Sequence, residues 1–346
     1  MDLKEMFGVL VVAFAGLLNG SGAWPMKKMS KFQFEHWWFI GMLTGLILIP
    51  WCVTLTLCPN AFEAYASVPT TVLIKSNLWA AGWGVANVLC GLCFVRIGVA
   101  LTGAILTGLG VSLGVTLPMI VKGSGLFKDA ADIDSQAGFT ILLGVGIMIV
   151  GVLLAAAAGF GRDRILQKQQ QKSGSFVGGL IMTVIAGILS CGISFSFVYA
   201  QGPIVEAMKA KGAGEVAANF SVWAIALLGG SSINVAYPMW LMTTKKSWGV
   251  LLNSKVEFLL SLIIGANIAA GIVLMGNGML LLGALGASVG FGIQQASQML
   301  GSQCLGFLSG EWKSVAGRPR TQMYAAIGTL ILAAIIMAYS NTLAKH

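Results

Sequence analysis

Charged side chains are scarce: Asp, Glu, Lys and Arg make up only 10% of the sequence. Soluble domains carry about 25%. Hydrophobic residues reach 57% and the mean hydropathy is +0.85, more apolar surface than a water-soluble fold of this length can hide. Histidine is nearly absent. The two present, His36 and His346, fall outside the apolar runs, which argues against a histidine-based membrane active site. No phosphate-binding loop, metal-ligand cluster or nucleophile turn is present, so the sequence reads as neither an enzyme nor a holder of a metal or cofactor. The six Cys (52, 58, 90, 93, 191 and 304) lie in or at the ends of apolar segments and form no secreted disulfide pattern. The Cys90–Cys93 pair falls mid-helix, where a small buried residue is the ordinary occupant. The net charge of +9 comes from short clusters between apolar runs. That is not the folded basic face that nucleic acid requires.

What remains is length of apolar chain. One membrane-spanning helix needs about 20 mostly apolar residues. Ten such segments can be drawn, over 6–24, 38–58, 72–95, 97–121, 137–160, 175–200, 217–243, 256–275, 278–308 and 322–342. The first follows a few charges and lacks a cleavable-signal layout, so it reads as a retained span. The fold class is therefore an all-α integral membrane protein. The most polar stretch, Arg162–Gly174, lies near mid-chain and reads as a linker between two five-helix halves, 1–165 and 166–346. An odd number of spans per half forces the second half to enter the membrane inverted, as in many secondary transporters. Short internal likenesses agree: Ala15–Asn19 resembles Ala186–Ser190, and Gly84–Asn87 resembles Gly265–Asn267.

The odd-numbered connections hold Lys27, Lys28 and Lys31; Arg96; Arg162, Arg164, Lys168 and Lys172; Lys245, Lys246 and Lys255; and Lys313, Arg318 and Arg320. The other side holds half as many. The positive-inside rule then puts the odd connections in the cytoplasm and both termini outside.

Polar side chains in hydrocarbon cost free energy unless they find a partner or line a wet cavity. Those inside the segments are the functional candidates: Asn19, Ser21, Asn87, Ser190, Ser194, Ser196, Ser231, Ser232, Asn234, Gln294, Gln295, Gln298 and Gln303. The substrate ligands chosen from them are Asn19, Asn87, Ser190, Gln294 and Gln298, with Trp79 and Trp83. Gln294 and Gln298 are four apart and share a helix face, as do Trp79 and Trp83. Amides and hydroxyls for hydroxyl groups, with an indole face for C–H bonds, suit a neutral sugar. The same amides could instead tie helix to helix. Coupling to an ion gradient needs a titratable or cation-binding group. No Asp falls inside a segment, and Glu257 is the one carboxylate within the limits drawn. It is the coupling candidate, or else an interfacial partner of Lys255 or Lys246. A sodium site built from backbone carbonyls would leave no trace in sequence.

Several stretches, in order, carry a family likeness. Pro25–Lys31, Trp37-Trp38 and Leu48–Trp51 come first. Trp83-Gly84, Asn87 and Gly91-Leu92 follow, then Glu311-Trp312 and Gly317–Pro319. Together the chain resembles the L-rhamnose–proton symporter family of the drug/metabolite transporter superfamily. The resemblance implies ten spans in two inverted halves, a bacterial inner membrane, and uptake of a deoxy sugar with a proton. A carrier of this kind is expected to work by alternating access, with both termini periplasmic as the charge bias has it. The segment Gly286–Gln295 contains neither Asp nor Glu. The expected partners are a small sugar, a proton or sodium ion and the lipid bilayer; the oligomeric state stays open. An exporter of another polar metabolite would share the fold. A membrane sensor or assembly subunit without transport belongs to a different class.

Overall fold

The computed structural model describes residues 3–22, 24–97, 99–166 and 176–343. Within them the chain is helical and contains no strand. Most of the 162–174 stretch, with Lys168 and Lys172, lies outside the described residues, as do Lys345 and His346.

In chain order the helices are α1 (Leu3–Ser21), α2 (Phe34–Met42), α3 (Ile49–Leu57), α4 (Ala61–Ser67), α5 (Thr70–Ile97), α6 (Val99–Ile120) and α7 (Gln136–Ile165). Then follow α8 (Phe176–Ser190), α9 (Gly192–Ala210), α10 (Glu215–Ala226), α11 (Leu228–Thr244), α12 (Lys255–Leu281), α13 (Phe291–Leu308) and α14 (Arg318–Leu343). A π-helical stretch, Leu43–Leu48, joins α2 to α3, and another, Gly286–Gly290, leads into α13. Six helical stretches among the described residues are long and apolar enough to cross a membrane, and a seventh is if α10 and α11, bent by 51°, count as one. Leu10, Phe14, Phe139, Leu153, Leu259 and Ile335 are exposed on their outer faces. Large apolar side chains exposed along helices long and apolar enough to cross a membrane fit a hydrocarbon surround.

Three of the differences from the sequence reading change which residues of the bundle lie inside helices. α2 begins at Phe34 rather than residue 38. The Gln33 N–H donates to His36 Nδ1 at 3.0 Å and closes the first turn. Glu35 and His36 thus lie inside a helix, and both are buried. With Glu5 in α1 and Glu206 in α9, Glu257 is not the sole carboxylate in the helices. Second, α12 runs through Gly276–Gly278 to Leu281. The chain turns only beyond it, at Gly283, whose φ of +74° a side chain would resist. Third, the 175–200 segment is two helices broken at Cys191, and the second reaches Ala210.

The helices pair in a regular manner. α1 packs on α12 and α13, α8 on α5 and α6, α2 on α11 and α12, and α5 on α11. α7 and α14 pack along each other at the side of the bundle.

The basic connections gather at one end. Lys27 Nζ and Arg162 Nη1 both pair with Glu311, at 2.6 and 2.9 Å. Lys245 Nζ pairs with the buried Glu35 at 2.9 Å. Lys122 with Asp132 and Lys211 with Glu63 form pairs elsewhere, at 2.8 Å each. Phe127, Phe197 and Trp223 are fully buried, with the Phe197 and Trp223 rings stacked at 4.4 Å.

Candidate substrate cavity

A cavity of about 360 Å³ lies among α1, α2, α5, α6, α8, α9, α12 and α13. Its polar lining is amide and hydroxyl: Asn19, Asn87, Ser190, Asn267, Gln294, Gln295 and Gln298. Its aromatic lining is Trp37, Trp38, Trp83 and Phe291. No ionisable side chain is among the lining residues that are described.

Backbone-to-backbone packing holds these side chains in place. A Cβ on Gly16 would run into the carbonyl of Gln294, and one on Gly20 into that of Gln298. α1 and α13 therefore touch along their main chains, bringing Asn19 beside Gln294 and Gln298. Asn19 Oδ1 lies against Gly271 of α12, where any side chain would displace it. On the far wall, Gly276 follows the lining residue Met275, and the Trp223 and Phe197 rings fill the space its side chain would take.

The amides are partly committed. Gln294 Nε2 donates to Gln298 Oε1 at 3.0 Å, which leaves Gln294 an oxygen and Gln298 an NH2 for a solute. Asn267 Nδ2 donates to the Gly22 carbonyl at 3.1 Å. Asn87 Nδ2 donates to Asn234 Oδ1 at 3.2 Å. Ser190 Oγ donates back to the Gly187 carbonyl at 2.7 Å and keeps its lone pairs. A wall with spare donors and acceptors but no charge suits a neutral, polyhydroxylated solute. Trp37 and Trp38 pack edge-on at 5.5 Å, and Phe34 lies 5.1 Å from Trp38.

Six of the seven residues singled out as substrate ligands line this one cavity; Trp79 does not. Its ring lies 4.9 Å from that of Phe195, and it borders a smaller pocket with Lys75, Lys122 and Tyr199. Trp79 and Trp83 share a helix face, but α9 packs on α5 and takes the first of them. Sequence reasoning missed Trp37, Trp38 and Asn267, and left Gln295 among the polar residues of its segment without choosing it as a ligand. Asn267 carried a signal, since it ends the short stretch resembling Gly84–Asn87.

Glu257 stands outside the cavity. Its Oε2 accepts the main-chain N–H of Phe32 at 2.7 Å, and its oxygens also accept those of Ser30 and Lys31 at 3.1 Å. It pairs with neither Lys246 nor Lys255 among the ion pairs of the described residues. Its side chain clasps the 30–32 connection to the start of α12. Nor do the described residues hold a group of three or more His, Cys, Asp or Glu that could bind a metal.

Comparison with known proteins gives one consistent result. The family model described as L-rhamnose-proton symport protein matches residues 6–342. A protein of Yersinia pestis bv. Antiqua (strain Antiqua) named L-rhamnose-proton symporter is 29% identical over 228 residues, 65% of this chain and 64% of that one. The like-named proteins of Yersinia pestis (strain Pestoides F) and Yersinia pseudotuberculosis serotype O:1b (strain IP 31758) give the same figures. The chain thus spans 64% of the length of the curated relatives it matches.

Proposed function

Because the chain belongs to the L-rhamnose-proton symport protein family, we propose that it is a multi-pass inner-membrane carrier. It takes up L-rhamnose or a related deoxy sugar through the central cavity by alternating access, with a proton as the coupling ion. The observation that carries the reading is the cavity wall: seven amide or hydroxyl side chains and three indoles, with no charge among them. An anionic or cationic solute would find no counter-ion there, whereas a deoxy sugar presents hydroxyls to the amides and C–H faces to the rings. Asn19, Asn87, Ser190, Gln294 and Gln298 hydrogen-bond the sugar, and Trp83 stacks on it with Trp37 or Trp38. Trp79 takes no part. The proton rests on the family and the relatives' names. Glu257 is a clasp rather than the coupling group.

Ten spans in two inverted halves, 1–165 and 166–346, complete the reading, and the pattern of helix pairing supports it. If each span in the first half corresponds to the fifth span after it, then α1 against α12 and α13 becomes α8 against α5 and α6. The α2–α12 contact becomes α11–α5, and α6–α7 becomes α13–α14. Each of these pairs is present. α7–α14 maps onto itself, as a two-fold axis requires. The short internal repeats agree as well: they equate Asn19 with Ser190 and Asn87 with Asn267, and all four line the cavity. The basic end is cytoplasmic in this orientation.

The test is thermal stabilisation of the purified protein by a panel of sugars at two pH values, with and without sodium, followed by uptake of radiolabelled L-rhamnose into proteoliposomes. A ligand of the folded state raises its stability by mass action. Stabilisation by L-rhamnose and accumulation that a protonophore abolishes are the expected results. A protein stabilised by no sugar overturns the reading.

A further inference from the structure

Asn234 sits on α11, is fully buried and does not line the cavity. Its Nδ2 donates to the Gly230 carbonyl at 2.9 Å. A carbonyl can only accept, so this contact fixes which way round the Asn234 amide lies: NH2 toward Gly230, oxygen away from it. That oxygen accepts from Asn87 Nδ2 at 3.2 Å. The orientation of Asn87 is fixed in turn, since an oxygen turned toward Asn234 Oδ1 would set two acceptors face to face. Asn87 lines the cavity, and with its NH2 held by Asn234 it offers the cavity its Oδ1. The relay depends on a close crossing of α5 and α11. A Cβ on Gly84 would stand 2.8 Å from the Gly230 oxygen, so only paired glycines let the two asparagines one turn away meet.

We propose that Asn234 is a positioning residue for solute selection: through Asn87 it makes one point of the cavity wall an obligate acceptor. A solute must donate there, with a hydroxyl. An ether oxygen, a ketone or a C–H group at that position is rejected because it leaves the Asn87 oxygen without a donor. The inference rests on the reading of this cavity as the sugar site.

The test compares binding of L-rhamnose with its single-position deoxy and deoxyfluoro analogues to the purified full-length protein. A fluorine substituent cannot donate. The wild type has one ring position at which both analogues bind about tenfold or more weakly than the hydroxyl compound. Asn234→Leu frees the Asn87 amide to rotate, and the preference at that position collapses to about twofold, less than a single neutral hydrogen bond contributes. Asn234→Asp, which in this buried position carries its proton on the oxygen facing the Gly230 carbonyl, retains an oxygen that accepts from Asn87 and keeps the preference. Asn234→Ala replaces the leucine variant if that one does not fold. A merely structural Asn234 would weaken all ligands equally, with the relative preference untouched, and that result overturns the proposal. So does a wild type that binds these sugars yet has no such position. If the wild type binds no sugar at all, the functional reading falls and takes the proposal with it.

Discussion

Glu257 offers the sharpest separation of a structural from a coupling role. Its carboxylate accepts main-chain N–H groups of Ser30, Lys31 and Phe32. In Glu257→Ala all three lose their acceptor. Ser30 and Lys31 are exposed, so water replaces it there. Phe32 is buried, so its N–H, at 2.7 Å the shortest of the three, stays orphaned. An orphaned buried donor costs about 1–3 kcal/mol, and losing a charge-assisted acceptor puts the loss toward the upper end, about 3 kcal/mol. Glu257→Gln keeps one oxygen but turns an NH2 toward the remaining donors, so it loses roughly half as much. The assay is thermal unfolding of the purified variants, with the expected order wild type, Gln, Ala. Proteoliposome uptake then follows on the folded Gln variant, which still accumulates sugar under a proton gradient. Equal unfolding temperatures for all three would refute the clasp. A Gln variant with wild-type stability that exchanges sugar but no longer accumulates it would make Glu257 the coupling group after all.

Three further outcomes follow from the geometry. Asn87→Ala and Gln294→Ala each weaken stabilisation by L-rhamnose about tenfold in apparent affinity, and Trp38→Ala weakens it more than Trp79→Ala, because only Trp38 lines the cavity; a dye-based melting titration ranks all four. Gly271→Val drives a side chain into the Asn19 amide, costs about 1–3 kcal/mol in overpacking, and lowers both the unfolding temperature and sugar affinity. The Lys211 ammonium at 2.8 Å holds the Glu63 carboxyl below its ordinary range. A depressed carboxylate stabilises the fold above its unfolded pKa and loses that contribution as pH falls through the folded one. The pair is exposed, so the effect is small and screened by salt; melting curves of wild type and Lys211→Gln against pH should differ at low salt above the carboxylate range and converge in acid.

The extent to which sequence reveals this molecule follows from which interactions are local. Helix existence is local: runs of apolar residues long enough to cross hydrocarbon mark most of the bundle. Helix ends are less so. Gly276–Gly278 reads as a break, yet α12 passes through it, because Trp223 and Phe197 fill the space beside Gly276 and Val12 that beside Gly278. These partners are distant in sequence, and no window of residues contains them. Gly283 breaks the chain instead, through its own positive φ. The clasp at Glu257 was equally hidden, since its partners are main-chain N–H groups more than 220 residues away.

The site was more legible than the helix ends, for a reason set by the solvent. In hydrocarbon an amide must either pair or face a cavity, so the polar residues of the spans form a short candidate set before any fold is known. Of the polar residues found that way, Asn19, Asn87, Ser190, Gln294, Gln295 and Gln298 line one cavity, while Ser194, Ser231 and Asn234 are buried elsewhere. Indole is under no such obligation. Tryptophan is also at home at the membrane interface, and nothing local distinguishes Trp79, turned to Phe195, from Trp38, turned to the cavity. The short internal likenesses bear on the cavity as well. Ala15–Asn19 with Ala186–Ser190, and Gly84–Asn87 with Gly265–Asn267, are short enough to arise by chance in a glycine-rich chain. Each nevertheless ends on a residue of the cavity wall, and each equated pair faces the same cavity from opposite halves. In the proposed inverted arrangement, equivalent positions come together only near the axis that relates the halves. A repeat preserved at such positions and little elsewhere is therefore what a binding site on that axis would leave in a sequence.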